Sequence, residues 1–140
     1  MAEVFAGFVA GFALAIITTP LLALLLFRTR TTSPLLARLL PAGTPVTSIA
    51  VLVHGALVMF WTGLGMVLGL VLLAMRDAEG ALGSRNGPYT LFVAGLTLAI
   101  LAPVAVLMPR SRLVILAAGA VVLVVFGWLT PYLAEWSNFD

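Results

Sequence analysis

The sequence predicts an all-α membrane protein of four transmembrane helices, arranged as two parallel-repeat helical hairpins. Two observations carry this prediction: four long stretches lack any charged residue, and a motif in the first stretch returns in the third. Hydrophobic residues make up 63% of the chain and charged residues 9%, with a mean hydropathy of +1.23. A water-soluble chain of 140 residues cannot cover so much apolar surface, so we expect lipid to be its solvent.

Each uncharged stretch is long enough to cross a bilayer, whose hydrocarbon core of about 30 Å needs about 20 apolar residues. The stretches are Val4–Phe27, Val46–Met75, Tyr89–Met108 and Leu113–Ala134. They lack the alternation of barrel strands, and only a helix satisfies every backbone group within one segment. We therefore expect four helices in a single transmembrane domain that covers residues 1–140.

An internal repeat relates the two halves of the chain. The stretch Phe8–Arg30 returns, two residues shorter, as Phe92–Arg112. Both copies begin Phe-Val-Ala-Gly, contain a proline (Pro20 or Pro103) and end on Arg-x-Arg. Both copies also cross the membrane in the same direction, which predicts parallel repeats related by an axis along the membrane normal. The two repeats cover residues 4–75 and 89–134.

Small residues in the first span predict close helix packing. They recur every four residues, at Gly7, Gly11 and Ala15. Such spacing lets another helix approach closely, and we favour ordinary packing over a dedicated dimerisation motif. Pro20 removes one backbone hydrogen bond, so we expect a kink there that Thr18 or Thr19 partly compensates.

The loop between the first two spans predicts a short amphipathic helix in the membrane interface. Ser33 and Pro34 form a favourable helix start, and four leucines follow at helical spacing around Arg38 before Pro41. The alternative is an irregular loop that folds back over the bundle.

The second span contains the only histidine of the chain, His54, and Trp61 and Gly65 share its helical face. A histidine inside a membrane is a functional candidate. His54 has three possible roles: ligating haem or a chlorophyll-type pigment with room beside Gly65, carrying protons, or forming a structural hydrogen bond. We favour the structural role. A haem held by two histidines of this chain is excluded, because His54 is the only histidine. A second axial ligand would have to come from elsewhere.

The distribution of charge predicts the orientation. Five arginines lie on one side of the predicted membrane: Arg28, Arg30, Arg38, Arg110 and Arg112. The other side holds Arg76, Arg85 and all five acids, which are Glu3, Asp77, Glu79, Glu135 and Asp140. The positive-inside rule places the five arginines in the cytoplasm and both termini outside, in a bacterial inner membrane. We expect the arginines to bind anionic phospholipids and the acids to be solvated surface.

The last two spans are predicted to be antiparallel neighbours, because Pro109 and a capping Ser111 leave only a short turn between them. The fourth span ends in aromatic residues spaced by four, and Tyr89 begins the third span at the same level. The predicted aromatic belt at the outer interface is therefore Tyr89, Trp128, Tyr132 and Trp136.

The sequence predicts no enzyme. It has no cysteine, which excludes thiolate metal sites, and no catalytic, nucleotide-binding or metal-ligand constellation. We therefore expect a small non-catalytic subunit of a larger membrane complex, whose partners are other integral membrane subunits and not nucleic acid. One alternative is a haem- or bacteriochlorophyll-binding subunit that uses His54. The other is a small oligomeric transporter, against which stands the lack of any acid in the predicted spans.

Overall fold

The computed structural model describes residues 1–29, 38, 43–79, 87–107 and 112–136, and apart from Met1 and residues 43–45 all of these are helical. The helices are α1 (Ala2–Thr29), α2 (Val46–Glu79), α3 (Gly87–Leu107) and a fourth helix in three parts. Those parts are α4 (Arg112–Val122), a π-helical segment (Leu123–Leu129) and α5 (Thr130–Trp136). Four helices in this part of the chain are long and apolar enough to cross a membrane, which confirms the predicted fold class at that level.

The helices extend beyond the uncharged stretches. α2 continues to Glu79 and has 34 residues, a length of about 51 Å. A bilayer core of about 30 Å is shorter than this, so α2 tilts or protrudes. The predicted interfacial helix lies outside the described residues, except for Arg38, which is helical and exposed.

Two threonines precede the proline inside α1. Thr18 donates a hydrogen bond from its hydroxyl to the Leu14 carbonyl at 2.7 Å, and Thr19 donates one to the Ala15 carbonyl at 2.6 Å. These bonds lie one turn before Pro20, rather than on the carbonyl that the proline deprives of its donor. The helix continues across Pro20, and α3 likewise continues across Pro103.

The π-helical segment in the fourth helix was not predicted. In an α-helix the N–H of residue 131 would bond to the Gly127 carbonyl, but Pro131 has no N–H. Thr90 of α3 supplies the missing bond from its hydroxyl at 2.8 Å. The Thr130 N–H bonds five residues back, to the Val125 carbonyl. A neighbouring helix and a local π register thus compensate the proline, as membrane helices commonly require.

Four glycines bring the backbones of α1 and α2 into contact. This glycine seam consists of Gly7, Gly11, Gly65 and Gly69. Gly7 faces the Gly65 carbonyl, and Gly11 faces the Trp61 carbonyl. A Cβ atom added to Gly69 would lie 2.8 Å from the Val4 Cα atom. The helices are therefore antiparallel with no room for a side chain between them, and the packing predicted for Gly7 and Gly11 occurs within the chain.

The two hairpins contact each other mainly at one end of the bundle, which we call the terminal end because α1 begins and α5 ends there. The main buried cluster draws on all four helices: Ala6, Ala10, Leu14, Leu68, Leu72, Tyr89, Val93, Phe126 and Ala134. The opposite, arginine end has a smaller cluster, formed only by α1 and α2 through Ala23, Ile49 and Val53. Among the described residues, the last two turns of α3 are accordingly mostly exposed.

Matched positions of the repeat lie in different surroundings. Gly11 lies in the glycine seam, whereas its counterpart Gly95 has no neighbouring atom within 4 Å of an added Cβ. In the second and fourth spans, His54–Val58 aligns with Ala118–Val122, which pairs Gly55 with Gly119. Gly55 is open, whereas Gly119 is buried, and a Cβ added there would lie 2.7 Å from a Leu101 methyl group. The hairpins are thus packed differently, and their twofold arrangement stays a prediction.

The structure corrects the predicted aromatic belt. Tyr89 has 0% of its surface exposed and belongs to the main buried cluster, so it is not an interfacial anchor. Trp128 and Tyr132 are exposed and stacked, with ring centroids 6.0 Å apart, and Trp136 is exposed. The prediction is wrong for Tyr89 because hydropathy fixes the depth of a residue but not the direction in which its side chain points.

Candidate functional site

A polar set joins α1 to α2 within the membrane span, and it contains the predicted candidate His54. Its members are Thr18, Thr19, His54 and Trp61. The Thr19 hydroxyl oxygen lies 3.0 Å from His54 Nδ1. About two turns further along α2, the Trp61 indole N–H donates to the Thr18 hydroxyl at 3.1 Å. Two adjacent threonines therefore hold two aromatic rings that lie seven residues apart on α2.

The bonds of Thr19 decide the tautomer of His54. The Thr19 hydroxyl hydrogen is directed to the Ala15 carbonyl, so its oxygen accepts a bond from the imidazole. This places an N–H on Nδ1, and in the neutral ring the lone pair is then on Nε2. The half-buried His54 thus forms an interhelical hydrogen bond, the kind of contact expected for a structural role.

Trp61 is fixed on several sides and links the two hairpins. Its ring meets Phe60 edge-on, with centroids 5.1 Å apart, and it lies 6.1 Å from the ring of Phe126 in the π-helical segment. Its N–H is bonded to Thr18. A tryptophan with its polar and apolar parts both engaged has little rotational freedom, so it forms a rigid wall at the middle of α2.

The space that the sequence offered for a flat ring at Gly65 is filled. The Gly7 backbone lies against Gly65, and the Phe126 ring lies 3.2 Å from the position of an added Cβ. A cofactor ring ligated by His54 must therefore lie away from Gly65. Trp61 and Gly65, which were predicted with His54 as cofactor-binding residues, both contact α1 directly, and cofactor binding by this group stays a prediction.

Replacing Thr18 tests the polar set. We expect Thr18→Val to lower the free energy of unfolding by about 0.6–1 kcal/mol, the usual worth of an interhelical hydrogen bond in a membrane. The Trp61 emission should shift in wavelength, because its N–H loses its acceptor. Trp61 fluorescence is measured in a variant whose other two tryptophans are phenylalanine. The matched control, Thr19→Val, should leave the Trp61 emission unchanged, and equal spectra for both variants would contradict the assignment.

Glu3 corrects the expectation that all acids are solvated surface. Only 2% of its surface is exposed, and it lies within the first candidate span, Ala2–Arg28. Its carboxylate lies 3.1 Å from the amino group of Met1. Burial follows from the glycine seam, because Gly69 lets α2 approach the Glu3 backbone. The candidate spans Ala2–Arg28 and Arg112–Trp136 contain Glu3 and Glu135, so the expectation that no acid lies in a span is wrong for these two residues.

Two of the arginines predicted to bind lipid, Arg28 and Arg112, lie at the end of the bundle where α1 ends and α4 begins. Arg28, Arg38 and Arg112 are exposed, and Arg112 Nε also donates to the Ala105 carbonyl at 3.1 Å. Arg30 and Arg110 lie outside the described residues. Exposure at one end suits contact with phosphate headgroups, and lipid binding by this group stays a prediction.

Four apolar helices with a polar set inside the first pair indicate a multi-pass α-helical membrane protein. Comparisons with protein-family models, with curated proteins and with solved structures gave no match. Function must therefore be argued from the geometry of this chain.

Proposed function

We propose that this chain is a non-catalytic accessory subunit of a larger membrane complex and that α3 is the helix that contacts the partner. The supporting observation is the burial of the third span. In its most apolar 18-residue stretch, 11% is buried inside the bundle. The corresponding share is 28% in each of the first two spans. A helix with so little cover inside its own bundle is available to the transmembrane helices of another subunit.

Small residues on the outward side of α3 favour this contact. Gly95, Ala99 and Ala102 share one face, and all are exposed. We call these three residues the α3 face. In lipid no hydrophobic force drives helices together, so association depends on close packing at such small residues. The glycine seam of α1 and α2 illustrates the same principle within this chain.

The finer architecture belongs to the same proposal. We infer two hairpins descended from one repeat, an interfacial helix around Arg38, and a bacterial inner membrane location with both termini outside. Two features of the sequence support these inferences: the matching motifs, and the five arginines in the loops that share one side of the predicted membrane. Labelling of Arg112→Cys by an impermeant reagent added to intact cells would contradict the orientation.

A glycine exchange tests the accessory role. Gly95→Leu should reduce the partner proteins recovered with the chain in mild detergent by about tenfold, which corresponds to about 1.4 kcal/mol of binding free energy. Gly55→Leu and Gly63→Leu are matched controls, because these glycines are also helical and have no atom within 4 Å of an added Cβ. All three variants should fold. Unchanged recovery with Gly95→Leu, or equal loss in all three variants, would contradict the proposal that the α3 face contacts the partner.

The polar set supports one alternative, a subunit that binds haem or a chlorophyll-type pigment through His54. A metal-ligating histidine usually donates its other ring N–H to an oxygen, and His54 Nδ1 meets Thr19 in this way. A second axial ligand would come from a partner. A visible absorption band that His54→Ala removes would favour this alternative over a purely structural histidine.

A further inference from the structure

A cleft of about 250 Å³ lies between α2 and α3, close to the middle of the membrane spans. Phe60, Trp61 and Leu64 form its α2 wall, Leu96 and Ile100 stand on α3, and Val122 of α4 also lines it. The cleft exists because α2 and α3 contact each other little, while Trp61 and Phe126 hold the hairpins together beside it. We call it the lateral cleft.

The lining of the lateral cleft is almost wholly apolar. Thr97 carries the one hydroxyl among the lining residues. The Trp61 N–H is already bonded to Thr18, so it offers no hydrogen to an occupant. A stable water needs two to four polar partners and space to reach them. Water is therefore a poor occupant, and an empty cleft would lose dispersion contacts along both walls.

The size of the cleft suits a slender apolar occupant. An apolar cavity of about 150 Å³ already holds a molecule the size of benzene. The lateral cleft, at about 250 Å³, therefore has room for a segment of a hydrocarbon chain.

We propose that the lateral cleft binds one acyl chain of a membrane phospholipid. At this depth the surrounding bilayer supplies acyl chains at high concentration. The rigid Trp61 wall, fixed by Thr18 and by two aromatic neighbours, distinguishes the cleft from ordinary lipid-facing surface. The cleft lies on the side of α3 opposite Gly95, so this site is independent of the proposed docking face.

The test uses Trp61 as the only tryptophan, in the full chain carrying Trp128→Phe and Trp136→Phe. The protein is reconstituted into phosphatidylcholine vesicles in which a fraction of the acyl chains carries bromine at mid-chain. We expect Trp61 quenching to saturate at a low fraction of brominated lipid. Ile100→Phe, which narrows the cleft, should reduce that quenching by at least half.

The matched control is Leu98→Phe. Leu98 is 64% exposed and Ile100 is 58% exposed on the same helix, but Leu98 lies away from the cleft. It should leave the quenching unchanged. Leu96→Phe, also in the lining, serves if Ile100→Phe does not fold. Equal quenching in cleft and control variants, or quenching that rises in proportion to brominated lipid as for bulk contact, would overturn the proposal.

A second arm separates phospholipid from an isoprenoid chain. A long-chain quinone is added to vesicles that contain no bromine, and Trp61 quenching by the quinone ring is measured. Quinone that displaces the brominated chain at an equal or lower mole fraction would overturn the assignment to phospholipid. The vesicles hold no other protein, so a negative result would leave the accessory-subunit proposal untouched.

Discussion

Gly65→Ala is expected to lower the free energy of unfolding by on the order of 4 kcal/mol, the range reached only by severe substitutions. The added methyl group would overlap the Gly7 carbonyl oxygen and lie 2.8 Å from the Gly7 carbonyl carbon. Neither atom belongs to a flexible side chain, so the two helix axes must move apart. That movement would also separate Gly69 from Val4 and Gly11 from Trp61.

Gly63→Ala is the matched control for this substitution. Gly63 lies on the same helix two residues earlier, is exposed, and has no atom within 4 Å of an added Cβ. Alanine is a better helix former than glycine by up to about 1 kcal/mol, so this variant should be unchanged or slightly more stable. Thermal unfolding in detergent, followed by the loss of monodisperse protein, measures both variants. Similar midpoints would show that the seam is not close-packed.

Phe126→Ala is expected to lower the free energy of unfolding by about 3 kcal/mol, because truncating a buried aromatic residue leaves a cavity. Phe126 has 0% of its surface exposed and lies in the π-helical segment. Its ring contacts Trp61 and lies close to Gly65, so this residue of the second hairpin packs directly against α2 of the first. Its loss should loosen the contact between the hairpins before it affects either hairpin alone.

Phe92→Ala controls for the removal of an aromatic ring from a membrane span. Phe92 lies in α3 and is 41% exposed, so lipid fills the space that its side chain vacates. We expect a change below about 1 kcal/mol for an exposed position. Unfolding in a denaturing detergent, followed by Trp61 emission, compares the two variants. A loss from Phe92→Ala as large as that from Phe126→Ala would contradict the assigned role of Phe126.

The number and approximate ends of the spans could be predicted from the sequence alone. Long uncharged runs between charged or proline-rich segments leave a chain in lipid no alternative to helices. Within the part of the chain that the structure describes, α1 begins two residues before the predicted Val4, and α3 begins two residues before Tyr89. The antiparallel packing of the last two spans was also predicted, from their short turn. Thr90 bonds to Gly127 and Leu101 lies against Gly119, so the contacts run in opposite directions along the two helices, as predicted.

The candidate site was predicted only in part. His54 and Trp61 could be chosen from their residue types and spacing, but their partners, Thr18 and Thr19, had been interpreted only as compensation for Pro20. Both threonines do back-bond to their own helix, and each also accepts a bond from α2. Pro131 could have indicated an irregularity in the fourth helix, because a proline inside a predicted span leaves one carbonyl without its usual donor. No periodicity could show that α3 would satisfy the freed carbonyl.

The sequence by itself determined that this protein crosses a membrane as four helices, because the free energy of placing a side chain in lipid depends on the residue itself. It could not determine which faces meet. Gly65 and Gly63 are equally small, yet only Gly65 lies against another backbone, and Tyr89 and Glu3 are buried where interfacial positions were expected. Lipid and protein interiors are similarly apolar, so hydropathy barely distinguishes a face that meets lipid from one that meets another helix. Which faces meet is decided by the close packing of particular side chains and backbones.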